Sequence, residues 1–587
     1  MAAMGITALI DFADVDGTRT SLDFGEPDET LQALSLDEVE ATLRAAQARA
    51  HAGAWVVGML SYEAAPAFDP ALRVRPRTDL PLAWFAVFSR PSAIHRPEPL
   101  PLPAPALRAD VPWPRYAATV ETIRDAIANG EVYQVNYTLR MRGAFDACSL
   151  GLYQRLRAAQ PDGFCAYLDL GRYRIASASP ELFFQRVGNR LTTRPMKGTR
   201  PRGRHATEDE TLARELREAS KDRAENLMIV DLLRNDLSRL AKPGGVDVPQ
   251  RFAVEQHPTV WQMTSTVTAD IREGLGLAEI LRALFPCGSV TGAPKVKAMH
   301  RIAELETSAR GVYCGTIGYL KPGGDAVFNV AIRTVVVDTQ NSTAECGLGS
   351  GIIWDSKAEA EYEEVLVKGR FLQRTASPFS LLETLRLDER QPVRLERHLA
   401  RLEASARYFA FPADVARWRE SIAHRLRSAP AGLARLRLRV GAQGELQIEI
   451  DDFPAPRAGT SLAFALARDP VSRHDVFLFH KTTRRDVYER AAAQNPEAFD
   501  VLLSNEQGEL TEFTRGNVVL EIGERKLTPA LDCGLLDGCL RRAWLEEGRI
   551  EEARLTRDDL VRARRVWFIN SLRGPIELAP PSEYRGR

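Results

Sequence analysis

Ten lysines stand among the 78 lysines and arginines of this 587-residue chain. Wherever arginine serves, the sequence uses arginine, so each lysine that remains is a candidate for amine chemistry. An arginine keeps its proton near neutral pH, whereas a lysine can lose it and attack. Beyond residue 375 only Lys481 and Lys526 are left. Lys481 follows the apolar run VFLFH, which reads as a strand end, and Lys526 sits in GERK, which reads as a structural turn. Carboxylates form a second group. In SKDRAENLMIVDLLRNDLSRL (220–240), Glu225 shares a helical face with Met228, Ile229 and Leu232. A carboxylate there is costly unless it is paired, hydrogen-bonded or bound to a metal. In AEAEYEEVLVK (358–368), Glu361, Glu364 and Lys368 project along one helix face, which in isolation reads as solvated. Two such helices could hold one magnesium ion through hard oxygen ligands. A salt bridge from Glu225 to an arginine is the competing reading, and spacing does not decide between them.

These groups need a scaffold, and the chain offers two. Residues 96–114, RPEPLPLPAPALRADVPWP, read as an extended linker or surface crossing. After them, amphipathic helices mix with apolar strands as far as VKGRFLQR. TASPFS (375–380) reads as a short joint. A second unit then brings the helix RLERHLARLEASARYF, the alternating strands ARLRLRV and ELQIEI, and a last strand RVWFIN. The fold class is α+β in both halves, with domains at 1–374 and 375–587. GLGSG and GSVTGAPK match neither a dinucleotide nor a Walker loop.

The bulk numbers exclude several classes. The length implies two or more large domains. Net charge is zero and the pI is about 7.1, which suggests neither nucleic acid nor an anionic membrane as partner. The first residues have no basic region before Asp11, and no apolar run approaches a membrane span. The seven cysteines are odd in number and scattered, as expected for reduced thiols in the cytoplasm.

Several segments resemble, in order, those of the chorismate-utilising enzymes: anthranilate synthase component I, aminodeoxychorismate synthase component I, and the isochorismate and salicylate synthases. They are ANGEVYQVNYT (128–138), SASPELF (177–183), TRPMKGTRPRG (193–203), DRAENLMIVDLLRNDL (222–237), PCGSVTGAPKVKAM (286–299), RGVYCGTIGYL (310–320), NVAIRT (329–334) and GLGSGIIWDSKAEAEYEEVLVK (347–368). The resemblance implies that Glu225 and Glu364, with Glu361 nearby, ligate Mg2+. Thr291, Tyr313, Arg333, the backbone at Gly349, and Lys368 would hold the substrate. Glu181 would be the general acid for the departing 4-hydroxyl, which calls for a raised pKa. Lys197 marks the branch: anthranilate synthases resemble PIAGT where this chain has PMKGT. A lysine there is expected to attack ring carbon 2 and expel the 4-hydroxyl, after which ammonia adds at carbon 4. Gln262 stands where the family usually has a histidine. No glutaminase nucleophile elbow is found, so ammonia is expected from solution or from a separate glutamine amidotransferase subunit.

FSLLETLRL (379–387), LERHLARLEASARY (395–408), FHKTTRRDVY (479–488), GELTEFTRGNVV (508–519), LTPALDCGLLDGCLR (527–541) and INSLRG (569–574) resemble the class IV pyridoxal-phosphate enzymes. These include aminotransferases and 4-amino-4-deoxychorismate lyase. The expected fold is therefore an anthranilate-synthase-component-I-like domain followed by a class IV aminotransferase-like fold of two subdomains. The resemblance implies that Lys481 holds pyridoxal 5'-phosphate covalently. Arg401 would grip its phosphate with two prongs, Glu512 would pair with the pyridine nitrogen, and the amides of Cys539 and Leu540 at a helix start would cradle the phosphate. Tyr488 would touch the cofactor oxygen, and Thr384 would assist the reaction. The combined expectation is a fusion that turns chorismate and ammonia into 4-amino-4-deoxychorismate and then into 4-aminobenzoate and pyruvate, for folate biosynthesis. By analogy it would dimerise through the second half. The rivals are a first half making anthranilate or salicylate, and a tail that is a branched-chain-type aminotransferase or an inactive interaction module.

Overall fold

Runs such as WVVGML (55–60) and AWFAVF (83–88) do not alternate, and almost every residue in them is buried. That is the mark of strands covered on both faces, and the architecture supplies both covers. The structure, a computed structural model, describes residues 5–13, 18–76, 79–92, 105–160, 162–258, 260–373, 379–453 and 462–581. Most of the proline-rich tract (93–104) and of the joint (374–378) lies outside the described residues. The expected linker nevertheless stops short of 114. A helix starts at Trp113 with a proline in its first turn, where the missing N–H has no helical partner to lose.

Contacts divide the chain into two compact units: Met1–Pro201 with Ala213–Ala376, and Arg202–Leu212 with Ser377–Arg587. A single cut near 375 therefore does not describe the chain. A short piece from the middle of the first half's motif region is built into the second unit.

The first unit holds two large antiparallel sheets. One runs, in spatial order, from Gly292–Ala293 through Gln134–Ala144, Thr343–Ile352, Thr334–Asp338, Tyr173–Ser179, Phe164–Asp169 and Ala8–Ala13 to Arg19–Phe24. The other runs from Met196–Pro201 through Val260–Ile271, Arg190–Arg194, Leu182–Val187, Ala326–Val330, Thr316–Leu320, Trp55–Leu60 and Ala83–Phe88 to Glu29–Ala33. Their inner faces share one core, in which Ile10, Phe12, Phe164 and Ile175 of the first meet Met59, Trp84, Ile317 and Tyr319 of the second. Helices cover the outer faces. Trp113–Ala128, Ser149–Ala159, Lys295–Leu305 and Ala358–Gly369 pack on one, and Leu36–His51 and Leu277–Leu284 on the other. Helix Ser220–Ser238 buries Ile229, Val230, Leu233 and Leu237, whereas Glu225, Met228 and Leu232 lie half-buried on the flank of that face.

In the second unit the strands Leu381–Asp388 and Leu433–Val440 show strict alternation of buried and half-buried residues. Helices Leu395–Tyr408 and Val415–Leu426 cover the buried side. A second, mixed sheet runs from Leu510–Phe513 through Asp500–Ser504, Leu462–Leu466, Gly574–Ala579, Arg565–Asn570, Asn517–Ile522 and Arg525–Pro529 to Glu551–Ala553. The piece Arg202–Leu212 is tied in by a buried ion pair. Arg202 donates to both carboxylate oxygens of Asp209 at 2.8 and 2.6 Å. The same guanidinium lies 4.3 Å over the Tyr408 ring, whose hydroxyl donates to the Gly203 carbonyl at 2.7 Å. A Cβ at Gly203 would come 2.2 Å from the Asp209 amide, so only glycine allows this closure.

Candidate active sites

Lys197 lies in the edge strand Met196–Pro201, where the register against Val260–Ile271 slips between Met196 and Thr199. Gly198 makes the slip possible: its φ is +90°, and a Cβ there would stand 3.0 Å from the Asp222 Cβ. Gln262 clamps the bulge, donating to the Gly198 carbonyl at 2.8 Å and accepting from the Thr199 hydroxyl at 2.9 Å. The residue in the family's histidine position thus spends its amide on the backbone that carries Lys197. The lysine amine reaches the backbone of Gly351, where a Cβ would lie 3.3 Å from it and 2.2 Å from the Gln134 amide nitrogen. Burial depresses the Lys197 pKa, the Lys368 ammonium adds to the effect, and Glu225, Glu181 and Glu364 oppose it. Part of its population is thereby shifted toward the free amine a nucleophile requires.

Glu181 opens the strand Leu182–Val187, and its amide donates to the Ser179 hydroxyl at 3.2 Å. Its carboxyl is buried and one oxygen, Oε1, has no hydrogen-bond partner. Burial pushes its pKa up to about 7, against the effects of Ser289 and the Lys197 ammonium. A protonated acid beside an amine is what a leaving hydroxyl needs.

Glu225 has its pKa raised, first by burial and further by Asp222 and Glu361, while Lys197 and Lys221 lower it. Glu361 accepts from the Ser356 hydroxyl at 2.7 Å, and Glu364 pairs with Lys368 at 2.7 Å. Lys368 also donates to the Gly349 carbonyl at 3.0 Å. Glu361 is half-buried, and Glu364 and Lys368 are exposed. Among the described residues no three acidic, histidine or cysteine side chains are gathered at metal-binding separation. The donor chemistry still fits a hard cation: carboxylates from two helices, close enough in charge for Glu361 to raise Glu225.

The remaining substrate candidates are held more tightly within the fold. Thr291 is fully buried and its hydroxyl donates to the Cys287 and Gly288 carbonyls at 3.2 and 3.3 Å. That hydroxyl braces a turn. Tyr313 is buried, with the Arg140 guanidinium 5.3 Å over its ring and Gly347 beneath it, where a Cβ would clash at 2.1 Å. Arg333 adopts a left-handed φ of 50° and its side chain donates to Gln160. Sequence reading missed the network behind them. Glu306, just past the end of helix Lys295–Leu305 and four residues before Arg310, accepts from Arg310, Arg140 and the Thr138 hydroxyl. Its spacing in ELETSAR was the available signal.

In the second unit Lys481 follows a short 3-10 turn, Val476–Leu478, and not a strand. Asp475 imposes the turn, its carboxylate accepting the Phe477 amide at 3.0 Å. Two backbone ties fix the lysine to the sheet: the Leu382 amide donates to the Lys481 carbonyl at 2.9 Å, and the Thr483 amide to the Ser380 carbonyl at 2.9 Å. Lys481 opens into a cavity of about 550 Å³ that Thr384, Arg401, Glu512, Gly538 and Cys539 also line. Burial lowers its pKa to about 8, helped by the Arg485 and Arg401 guanidinium groups.

Glu512 is buried, with its pKa pushed up to about 7 by desolvation. One oxygen takes the Tyr488 hydroxyl at 2.8 Å and the Leu536 amide at 3.2 Å, leaving the other for a ring nitrogen. Tyr488 therefore supports Glu512. The two-pronged face of Arg401 is already spent on Glu383, at 2.8 and 2.7 Å, and its NH1 donates to the Asp537 carbonyl at 3.0 Å. What it can offer a phosphate is its remaining N–H groups and its charge. Glu383 also meets His398 at 2.7 Å, and the Arg401 guanidinium, with the hydrogen bond to His398, holds its pKa at about 2 against the cost of burial. Helix Cys539–Glu546 begins at Gly538, so the amides of Cys539 and Leu540 are open at its N-terminus. The Ser571 hydroxyl, buried and without a partner among the described residues, lines the same cavity. An amine of lowered pKa, a buried carboxylate with a spare oxygen and an open helix start fit pyridoxal phosphate.

Comparison with known proteins finds two families in turn along the chain. Residues 95–374 match the chorismate binding enzyme family, and residues 380–578 match the amino-transferase class IV family. Aminodeoxychorismate synthase component 1 of Salmonella typhimurium is 43% identical over 253 residues, 43% of this chain and 55% of that protein. Anthranilate synthase component 1 of Aquifex aeolicus is 39% identical over 255 residues, 43% of this chain and 51% of that protein. The chain thus spans about half the length of the curated relatives it matches. The crystal structure of anthranilate synthase component I from Streptococcus pneumoniae superposes with a TM-score of 0.52 at 27% identity, covering 64% of this chain and 93% of that one.

Proposed function

The chain belongs, half by half, to the chorismate binding enzymes and to the class IV amino-transferases, and from that premise we propose that it makes 4-aminobenzoate from chorismate in two steps. The first unit aminates chorismate to 4-amino-4-deoxychorismate, and the second releases pyruvate and 4-aminobenzoate from it. The observation that carries the first step is the pairing of Lys197, an amine of depressed pKa, with Glu181, a buried acid of pKa about 7. Similarity alone does not choose the product, since an aminodeoxychorismate synthase component and an anthranilate synthase component match at nearly the same identity. Lys197 does choose it. Its amine attacks ring carbon 2 and the 4-hydroxyl leaves with the proton of Glu181. Ammonia then adds at carbon 4 and the lysine departs. Magnesium, held by Glu225, Glu361 and Glu364, would bind the ring carboxylate.

In the second unit pyridoxal phosphate, when bound, supplies an electron sink. Lys481 carries the cofactor and moves the proton from ring carbon 4. Glu512 would keep the cofactor ring nitrogen protonated, and Thr384, opposite Arg437 in the sheet register, lines the same cavity as the lysine. We assign ammonia supply to a separate glutamine amidotransferase subunit, with free ammonium as substitute, and association of two chains to the second unit.

The test is a product assay. The purified chain is incubated with chorismate, magnesium, ammonium and pyridoxal phosphate, and products are followed by chromatography. 4-Aminobenzoate and pyruvate are expected together. Lys197→Ala should abolish both, and Lys481→Ala should accumulate 4-amino-4-deoxychorismate. Anthranilate as product would overturn the role of Lys197, and a demand for an amino donor would make the second unit an aminotransferase.

A further inference from the structure

Arginines crowd the cavity around Lys481, and most are already neutralised. Arg401 pairs with Glu383 at 2.7 Å, Arg435 with Asp451 at 2.7 Å, Arg437 with Glu449 at 3.3 Å and Arg515 with Asp500 at 3.1 Å. Arg485 has no carboxylate partner among the described residues either, but its guanidinium donates to the Thr514 carbonyl and lies 4.7 Å over the Tyr488 ring. Arg573 differs from all of these. Its guanidinium lies 5.1 Å over the Phe453 ring and has no carboxylate or hydrogen-bond partner among the described residues. It is half-buried yet open to the cavity. A desolvated cation without a counter-charge is expensive unless a ligand supplies one.

The residue is also held in place. It sits in the turn between strands Arg565–Asn570 and Gly574–Ala579, and Asn570 Oδ1 accepts the amides of Leu572 and Arg573 at 3.1 and 2.7 Å. The other end of the Asn570 amide donates to the Arg515 carbonyl at 3.0 Å. Arg573 thus stands among Asp500, Arg515 and Arg435 on the wall of the cavity that Lys481 also lines.

We propose that Arg573 is the specificity residue of the second site, binding the ring carboxylate that lies para to the reacting amine of the substrate. The inference rests on the lyase reading above and deepens it: the site selects six-membered cyclic amines that carry a carboxylate across the ring. Arg573 touches substrate and takes no part in proton transfer.

Calorimetry on the cofactor-loaded full chain tests this without relying on turnover. The ligand is 4-aminobenzoate, which keeps the para carboxylate, and the control is its uncharged analogue 4-aminobenzamide. Arg573→Gln should weaken 4-aminobenzoate about tenfold or more, the span of a charge-assisted hydrogen bond, and leave 4-aminobenzamide unchanged. Arg573→Lys should recover most of the loss. In turnover, KM for 4-amino-4-deoxychorismate should rise in Arg573→Gln while kcat changes little. Equal 4-aminobenzoate affinity in wild type and Arg573→Gln overturns the proposal. So does loss of cofactor absorbance in both variants, which would make the arginine structural. A chain that makes no 4-aminobenzoate yet shows the affinity difference refutes the lyase reading and keeps the subsite.

Discussion

In the proposed reactions two lysines and two buried acids carry the chemistry, and their pKa values would set the pH behaviour. Glu181 has to be protonated to release the hydroxyl, and its pKa of about 7 means that the protonated fraction falls as pH rises through neutrality. The first reaction, assayed with saturating ammonium, should therefore carry a descending limb set by Glu181, opposed by the free-amine fraction of Lys197, which rises with pH. Glu181→Gln should remove that limb together with most of the activity, about 100-fold or more. Glu383 behaves oppositely. Its folded pKa of about 2 lies below its ordinary 4.5, so the stability it contributes is present above pH 4.5 and lost as pH falls toward 2. Thermal unfolding between pH 5 and 3 should show the second unit losing stability, and Glu383→Gln should flatten that slope. Arginine-rich composition exposed the lysines in the sequence. Glu383 stayed hidden, and so did what Gln262 holds, because their partners, Arg401 and Gly198, meet them only through the fold.

Among the elements, the bulge at Lys197 is the most sensitive. Gly198→Ala puts a side chain at φ +90° and 3.0 Å from Asp222, a strain of about 1–3 kcal/mol. Amination should fall by at least tenfold while release of pyruvate from supplied 4-amino-4-deoxychorismate continues, and paired assays of the two steps check it. The helices and alternating strands of the second half were readable because their periodicity is local. The turn before Lys481 was not, since VFLFH has the composition of a strand and only the Asp475 cap bends it. The piece Arg202–Leu212 was equally hidden. Asp209→Asn leaves Arg202 buried without its counter-charge and should destabilise the second unit by about 3–5 kcal/mol. A fall in the melting temperature, together with weaker cofactor absorbance, is the expected outcome.

At the scale of the molecule the two proposed activities should have separate requirements. Glu225, Glu361 and Glu364 belong to the first unit, and the Lys481 cavity is lined entirely by the second. A chelator should therefore stop amination of chorismate and spare the conversion of supplied 4-amino-4-deoxychorismate. Removal of pyridoxal phosphate should do the reverse. Chromatography of both products under each condition checks the prediction, and a chelator that stops both steps would place magnesium in the wrong unit.

The sequence by itself determined the two families, the α+β class, the lysines and the acids around them, because motif residues and short-range periodicity are written along the chain. Only the tertiary structure decided what those residues have left to give. Thr291 and Gln262 spend their polar atoms on backbone and Arg401 spends its fork on Glu383, while Arg573 keeps its charge free. Hydrogen-bond satisfaction is a property of neighbours in space, and residues as far apart as Arg202 and Tyr408 become neighbours only once the chain has folded.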